Sequence, residues 1–283
     1  MWNKFLLPVV LLALLGQSCD YVTDPVEAPS SGGPGGEGVI RRVLLEDFTG
    51  HLCNNCPGAT QTALQLQAVY PEDLIVVGVH VINFAVPQAP LGDGVYDTDF
   101  RTPAGNDYAG QFGVTFLPTG MVSRKAFNSS ILQDDDAWSS DVSEIIGQPA
   151  DFDIWFSSLE HNATANTVTA EVKVAVMNAV TSDHNLTIYL TEDHVTDWQL
   201  NSQATPPDVP DYDHRHVLRT TLNSSWGEAV VTGSAAAGDT LTFTYTDFPV
   251  NPDWNATNCA LVGYVYNTAS YEVMQVAERK FQP

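Results

Sequence analysis

Residues 42–57 read Arg42-Val43-Leu44-Leu45-Glu46-Asp47-Phe48-Thr49-Gly50-His51-Leu52-Cys53-Asn54-Asn55-Cys56-Pro57, and their order decides the architecture of the first half of the chain. The apolar run ending at Phe48 suits a buried strand, and Thr49-Gly50-His51-Leu52 is a short loop leading to a C-x-x-C pair. Behind the pair, Ala59, Ala63, Leu66 and Tyr70 recur at helical spacing until Pro71 closes the segment. Leu74 to Val81 is then almost uniformly apolar, as a strand covered on both faces would be. Strand, C-x-x-C, helix, strand is a βαβ unit. Pro57 removes a backbone donor from the first turn, so the helix start shifts toward Asn55 or Cys56.

A C-x-x-C pair has three readings: half of a zinc site, a structural disulfide, or a redox couple. Zinc needs a second pair of ligands at similar spacing, and no other C-x-x-C or H-x₃₋₅-H occurs in the sequence, so no metal and no cofactor is expected. The other two readings stay open. The remaining cysteines are Cys19 and Cys259; the latter stands alone among strand-like residues and reads as a small buried apolar side chain.

Working outward, residues 1–18 carry one cation, Lys4, then an apolar core from Phe5 to Leu15, then Gly16-Gln17-Ser18 before Cys19. That is a secretory signal, too short to span a bilayer as a helix. It resembles a bacterial lipoprotein signal, which implies lipidation of Cys19. Residues 19–38, rich in Pro, Gly and Ser, read as a flexible tether. The folded part is expected as two domains, residues 39–148 and 149–283. The 283-residue chain carries 34 acidic side chains against 11 basic ones, for a net charge of −23, so nucleic acid is an unfavourable partner. Anionic membranes repel it equally, and contact with a membrane is expected only through the anchor.

Beyond Pro149 the period changes to two. Val168, Ala170, Val172, Val174 and Val176 alternate with polar residues, and Phe152-Ile154-Phe156, Leu186-Ile188-Leu190, Leu241-Phe243-Tyr245 and Val262-Tyr264-Tyr266 do likewise. With Met274-Val276 and His216–Leu222, roughly seven strands are expected, which fits an immunoglobulin-like β-sandwich. The fold class is therefore α/β plus all-β. The stretch from Ile82 to Gly110 reads as a surface loop, and Pro206 to His216 as a solvated turn in which Arg215 and Arg219 pair with nearby acids.

The first half resembles the thioredoxin superfamily. Asp47-Phe48 stands at the family's interval from the first Cys, Phe112 to Thr119 looks like the loop around its cis-proline, Gly120 to Phe127 like its closing hairpin, and Trp138, Val142, Ile145 and Ile146 like its last helix. The resemblance implies that Cys53 attacks, Cys56 resolves the mixed disulfide, buried Asp47 accepts the Cys56 proton, and Pro118 leaves a backbone free to pair with an extended substrate. The whole layout is similar to the Omp28-related outer-membrane lipoproteins of Bacteroidota. Its carriers are Leu44 to Gly50 through Cys56-Pro57, His214 to Arg219, Cys259 to Asn267 and Val273 to Gln275. That family implies the cell envelope, on the periplasmic or the external face, more firmly than any reaction.

Two functions follow. One is thiol–disulfide exchange with exported proteins through Cys53 and Cys56. The other is a non-catalytic surface lipoprotein that binds a protein or glycan through its β domain, with Cys53–Cys56 a structural staple. The first requires an ionised Cys53 sulfur that a peptide can reach beside Pro118.

Overall fold

The computed structural model of the protein describes residues 38–281. The signal, Cys19 and nearly all of the tether lie outside the described residues.

The expected βαβ unit forms as β1 (Val43–Thr49), α1 (Cys56–Val69) and β2 (Leu74–His80), with β1 and β2 parallel. Every residue of both strands is buried, which explains their unbroken apolar sequence. The stretch expected as a loop contains α2 (Pro103–Phe112). Its ends are well specified: the Thr102 hydroxyl accepts the Gly105 N–H at 2.9 Å, Pro103 opens the helix, and Gly113 closes it at φ 71°. Ala104 and Tyr108, one turn apart, are buried. Few periodic residues in a Pro- and Gly-rich stretch hid this helix from the sequence reading.

β3 (Thr119–Val122) runs antiparallel to β1. No second strand completes the expected hairpin. Instead, Ser123 and Arg124 take positive φ values of 48° and 49°, and the Arg124 side chain enters the interior, where it is 1 % exposed. α3 (Trp138–Ile145) follows.

The remaining strands are β4 (Phe152–Asn162), β5 (Thr167–Val176), β6 (His184–Glu192), β7 (Val195–Leu200), β8 (Asp208–His214), β9 (Val217–Thr221), β10 (Glu228–Val231), β11 (Thr240–Pro249), β12 (Cys259–Asn267) and β13 (Val273–Lys280). They make the fold β-rich, with mixed sheets. Eight strands share one sheet, ordered β13-β12-β6-β9-β2-β1-β3 with β10 on β6. Hydrogen bonding thus crosses the expected boundary near Pro149, because β9 lies between β2 and β6. The sheet curls until its ends meet: the Val273 N–H donates to the Ser123 carbonyl at 2.8 Å, and the Arg42 N–H to Gln275 Oε1 at 2.9 Å.

The two faces of this sheet are covered by three different sets of elements. Inside the curl, Phe48, Val77, Met121, Leu218, Val262 and Val276 pack around α2. Outside, Leu45, Val76 and Val122 bury the apolar sides of α1 and α3. Farther along, a three-stranded sheet, β11-β5-β4, packs Ile154 and Val172 against Ile188 and Leu261. Alternation explains the division, since Leu261 and Val265 face one way and Val262 and Tyr264 the other.

One charged pair sits inside the curl. Arg124 donates from Nε and Nη2 to both Glu46 oxygens at 2.8 Å, and from Nη2 to the hydroxyls of Tyr189 and Tyr264 at 2.9 Å each. Its guanidinium also lies 4.6 Å from the Tyr108 ring centre. Glu46, read as part of an apolar run, is therefore the counter-ion of a residue 78 positions away.

Candidate functional site

Cys53 and Cys56 are bonded to each other, with Sγ atoms 2.07 Å apart. α1 begins at Cys56 with Asn55 as its N-cap and Pro57 in the first turn, the shift that the missing proline donor dictates. The helix dipole therefore acts first on Cys56, and Cys53 lies in the preceding turn, where its carbonyl accepts the Cys56 N–H at 3.3 Å.

Asp47 sits within β1 at the register of Gly78 on β2 and Gly120 on β3. Neither neighbour has a side chain beside it, and the vacated positions are filled: a β-carbon on Gly78 would meet the Arg215 carbonyl at 3.1 Å, and one on Gly120 the Trp138 ring at 2.6 Å. Asp47 is shut off from bulk solvent and is 2 % exposed. Thr60, one turn along α1 from Cys56, donates to Asp47 Oδ2 at 2.9 Å, while Oδ1 has no partner. Burial pushes the Asp47 carboxyl up to about 7, with the Thr60 hydroxyl opposing. A cavity of about 20 Å³, room for one water, lies among Asp47, Thr60, His80, Gln199, Tyr212 and His214.

The Leu117–Pro118 peptide bond is cis. Thr119 pairs with Phe48, so the register brings Pro118 level with Thr49, where β1 runs out toward the cysteines. Asp47, Pro118 and the C-x-x-C loop thus converge at one end of β1. Cys19 lies outside the described residues, and Cys259 is buried far along the sequence at the start of β12. Among the described residues no cluster of His, Cys, Asp and Glu has the geometry to hold a metal ion.

The sulfurs are not open to solvent. Cys53 is 2 % exposed and Cys56 1 %. The requirement that a peptide reach the Cys53 sulfur is therefore not met in this conformation, a correction to the open site that the sequence reading assumed. The β7–β8 hairpin lies against the cysteine loop. The Leu200 N–H donates to the His51 carbonyl and the Ser202 N–H to the Asn54 carbonyl, both at 2.8 Å. Buried Gln199 donates from Nε2 to the Cys53 carbonyl at 3.0 Å. Opposite, Gly50 admits the Phe84 backbone, since a β-carbon there would stand 2.5 Å from the Phe84 carbonyl oxygen.

The segment expected as a solvated turn is thus half of this hairpin. Its arginines also choose other partners: Arg215 bonds Asp193 through Nη2 at 2.9 Å, and Arg219 bonds Glu192 at 2.7 Å. His214 turns inward. With His51 and His80 it surrounds Phe100, whose ring centre is 5.0, 5.4 and 4.7 Å from theirs respectively. His51 donates from Nε2 to the Val86 carbonyl at 2.9 Å, His214 Nε2 lies 3.2 Å from the Trp198 carbonyl, and neither nitrogen of His80 has a partner. Burial lowers all three imidazoles below the usual histidine range, His214 to about 4. The sequence offered no signal for this group, whose members lie on three separate elements.

The family model for outer membrane protein Omp28 matches residues 105–283. Among solved structures, HBP35 of Porphyromonas gingivalis is similar over 86 % of this chain and 76 % of its own, at 20 % identity and a TM-score of 0.62. A protein from Agrobacterium tumefaciens is similar over 86 % of this chain and 96 % of its own, at 11 % identity and a TM-score of 0.50. A domain of the outer membrane lipoprotein Omp28 from Porphyromonas gingivalis aligns with 47 % of this chain and 90 % of its own, at 23 % identity and a TM-score of 0.32. No curated protein matches the sequence at a significant level. At these identities the first two likenesses speak to fold alone.

Proposed function

Because the chain belongs to the Omp28 outer-membrane protein family, we propose that it is a lipid-anchored protein of the cell envelope whose Cys53–Cys56 pair exchanges disulfides with exported proteins. Family membership places it at the outer membrane. No helix among the described residues is long and apolar enough to cross a membrane, and Cys19 is the residue we assign to the anchor. The exchange centre is thioredoxin-like in its parts: a βαβ unit with C-x-x-C at the helix start, a buried acid beneath, and a cis-proline alongside.

The observation that carries the reading is Asp47. A carboxyl held protonated to about 7, one helical turn from Cys56 through Thr60, is poised to trade a proton with that thiol near neutral pH. In the oxidising direction a substrate thiolate attacks Cys53 Sγ, the Cys53–Cys56 bond breaks, and Cys56 leaves as a thiolate that takes the Asp47 proton. A second substrate thiolate attacks its own sulfur in the mixed disulfide and releases Cys53. Two electrons pass from the substrate dithiol to the cysteines; of the two protons that the substrate thiols release on ionising, one restores Asp47 and the other goes to solvent or to the Cys53 thiolate. Exchange in the reducing direction retraces these steps.

The seal over the sulfurs favours a second reading, in which Cys53–Cys56 is a permanent staple and the protein acts by binding through its β strands. Alkylation of the reduced protein as a function of pH separates the two. Exchange activity requires a Cys53 thiol pKa below the free-cysteine value of about 8.5 and measurable disulfide transfer to a reduced, unfolded protein. A pKa at or above that value, with no transfer, leaves the staple.

A further inference from the structure

We propose that the β7–β8 hairpin is a removable cover seated where an extended polypeptide binds, so that the carbonyls of residues 51–54 form a strand-recognition site beside the disulfide. The identity of the ligand as a thiol-bearing substrate rests on the exchange reading; the cover rests on packing alone.

Three observations support it. First, the hairpin is a separate two-stranded sheet, with no ladder to the eight-stranded sheet it lies beside. Its removal would leave the large sheet's hydrogen bonds in place. Second, its grip on the cysteine loop is that of a peptide edge. Leu200, the last residue of β7, donates its N–H to the His51 carbonyl, Ser202 in the turn beyond donates to the Asn54 carbonyl, and the Gln199 amide meets the Cys53 carbonyl. An extended chain offers main-chain donors whatever its sequence, which suits a partner drawn from many exported proteins.

Third, several of the contacts that hold the hairpin are polar ones that water can replace. Trp198 donates from Nε1 to the Gly94 carbonyl at 2.6 Å, Tyr96 donates to Asp208 at 3.0 Å, and Thr98 donates to Asp197. Of its strand residues only Gln199 and His214 are buried, and most of the connecting segment, Asn201 to Pro207, is exposed. Its apolar contacts include Val195 on Phe100 and Val217, Trp198 beside Tyr96, and the inward-turned His214 on Phe100, and their loss sets the cost of local opening. Lifting exposes three carbonyls near the disulfide to water, and an incoming strand that supplies its own donors takes the water's place.

The test measures access to the disulfide under native conditions, at fixed pH and with the full chain. The first probe is tris(carboxyethyl)phosphine, which reduces the bond without a thiolate and is itself oxidised to the phosphine oxide. Reduction of the wild type should be faster than global unfolding measured in denaturant. Ser202→Pro and Gln199→Ala, which delete the donors to Asn54 and Cys53, should each raise the rate by about fivefold to tenfold. Amide hydrogen exchange at Leu200 and Ser202 in the unmodified protein should be at least ~10-fold less protected than at Leu45 and Val76. Reduction at the unfolding rate, unmoved by either variant, or uniform protection, overturns the cover. The second probe is the reduced insulin B chain, whose mixed disulfide with Cys53 is trapped by acid quenching. Faster capture in the hairpin variants supports strand recognition, and capture unchanged while phosphine access rises overturns it. Failure of the exchange reading looks different: phosphine access and hydrogen exchange behave as expected, yet the Cys53 thiol titrates at the free-cysteine value.

Discussion

Replacing Asp47 by Asn tests the chemistry of the site through its stability. In the unfolded chain this carboxyl titrates near 3.8; in the fold it keeps its proton to about 7. Below pH 3.8 both states are protonated and Asp47 is neutral in its effect. As pH rises from 3.8 to 7 the unfolded state ionises while the folded state retains a proton, so stability falls. Above about 7 the full cost is present, roughly 4 kcal/mol at 1.36 kcal/mol per pH unit. Asn keeps an oxygen for the Thr60 hydroxyl and cannot ionise. Asp47→Asn should therefore stabilise the oxidised protein by up to about 4 kcal/mol at pH 8 and by almost nothing at pH 3.8. Urea unfolding of both proteins at the two pH values reads the difference. An equal effect at both, or destabilisation at pH 8, refutes a protonated buried carboxyl. The same variant should slow disulfide exchange by about 100-fold, because Cys56 loses its proton partner.

The histidines impose the opposite slope. His214 titrates near 6.5 unfolded and about 4 folded, so its contribution is intact above pH 6.5 and is lost as pH falls toward 4; His214→Gln should cut that acid loss by about 3 kcal/mol in urea titrations. Arg124→Leu strands Glu46 inside the curled sheet and should cost about 3–5 kcal/mol by urea unfolding at pH 7, with part recovered when Glu46→Gln is added. Gly120→Ala forces a β-carbon to within 2.6 Å of Trp138 and 2.9 Å of the Glu46 carbonyl, and should destabilise by about 1–3 kcal/mol, read as a lowered Tm.

Much of the fold was legible from near neighbours. The unbroken apolar runs of β1 and β2 reported strands buried on both faces, and the alternation at Val168 to Val176 reported β5. Pro57 fixed the helix start at Cys56, and the three-residue spacing brought the two cysteines within bonding range. β7 and β8 were missed because Pro210 and the many acids of the hairpin obscure any period of two, and β10, four residues long, is too short to show one. α2 was missed because its signals are caps, Thr102 and Gly113, set in a breaker-rich stretch.

The sequence by itself determined β1, β2 and the alternating strands such as β5, the spacing that lets Cys53 and Cys56 bond, and the acid ahead of them, since each depends on residues a few positions apart. Tertiary structure alone decided whether those groups are wet or dry. Trp138 and the Arg215 carbonyl fill the space over the glycines that flank Asp47, Cys53 is sealed by a segment about 146 residues downstream, and Glu46 is matched by Arg124. Burial is a sum over everything that packs against an atom, and most of those neighbours lie far away along the chain.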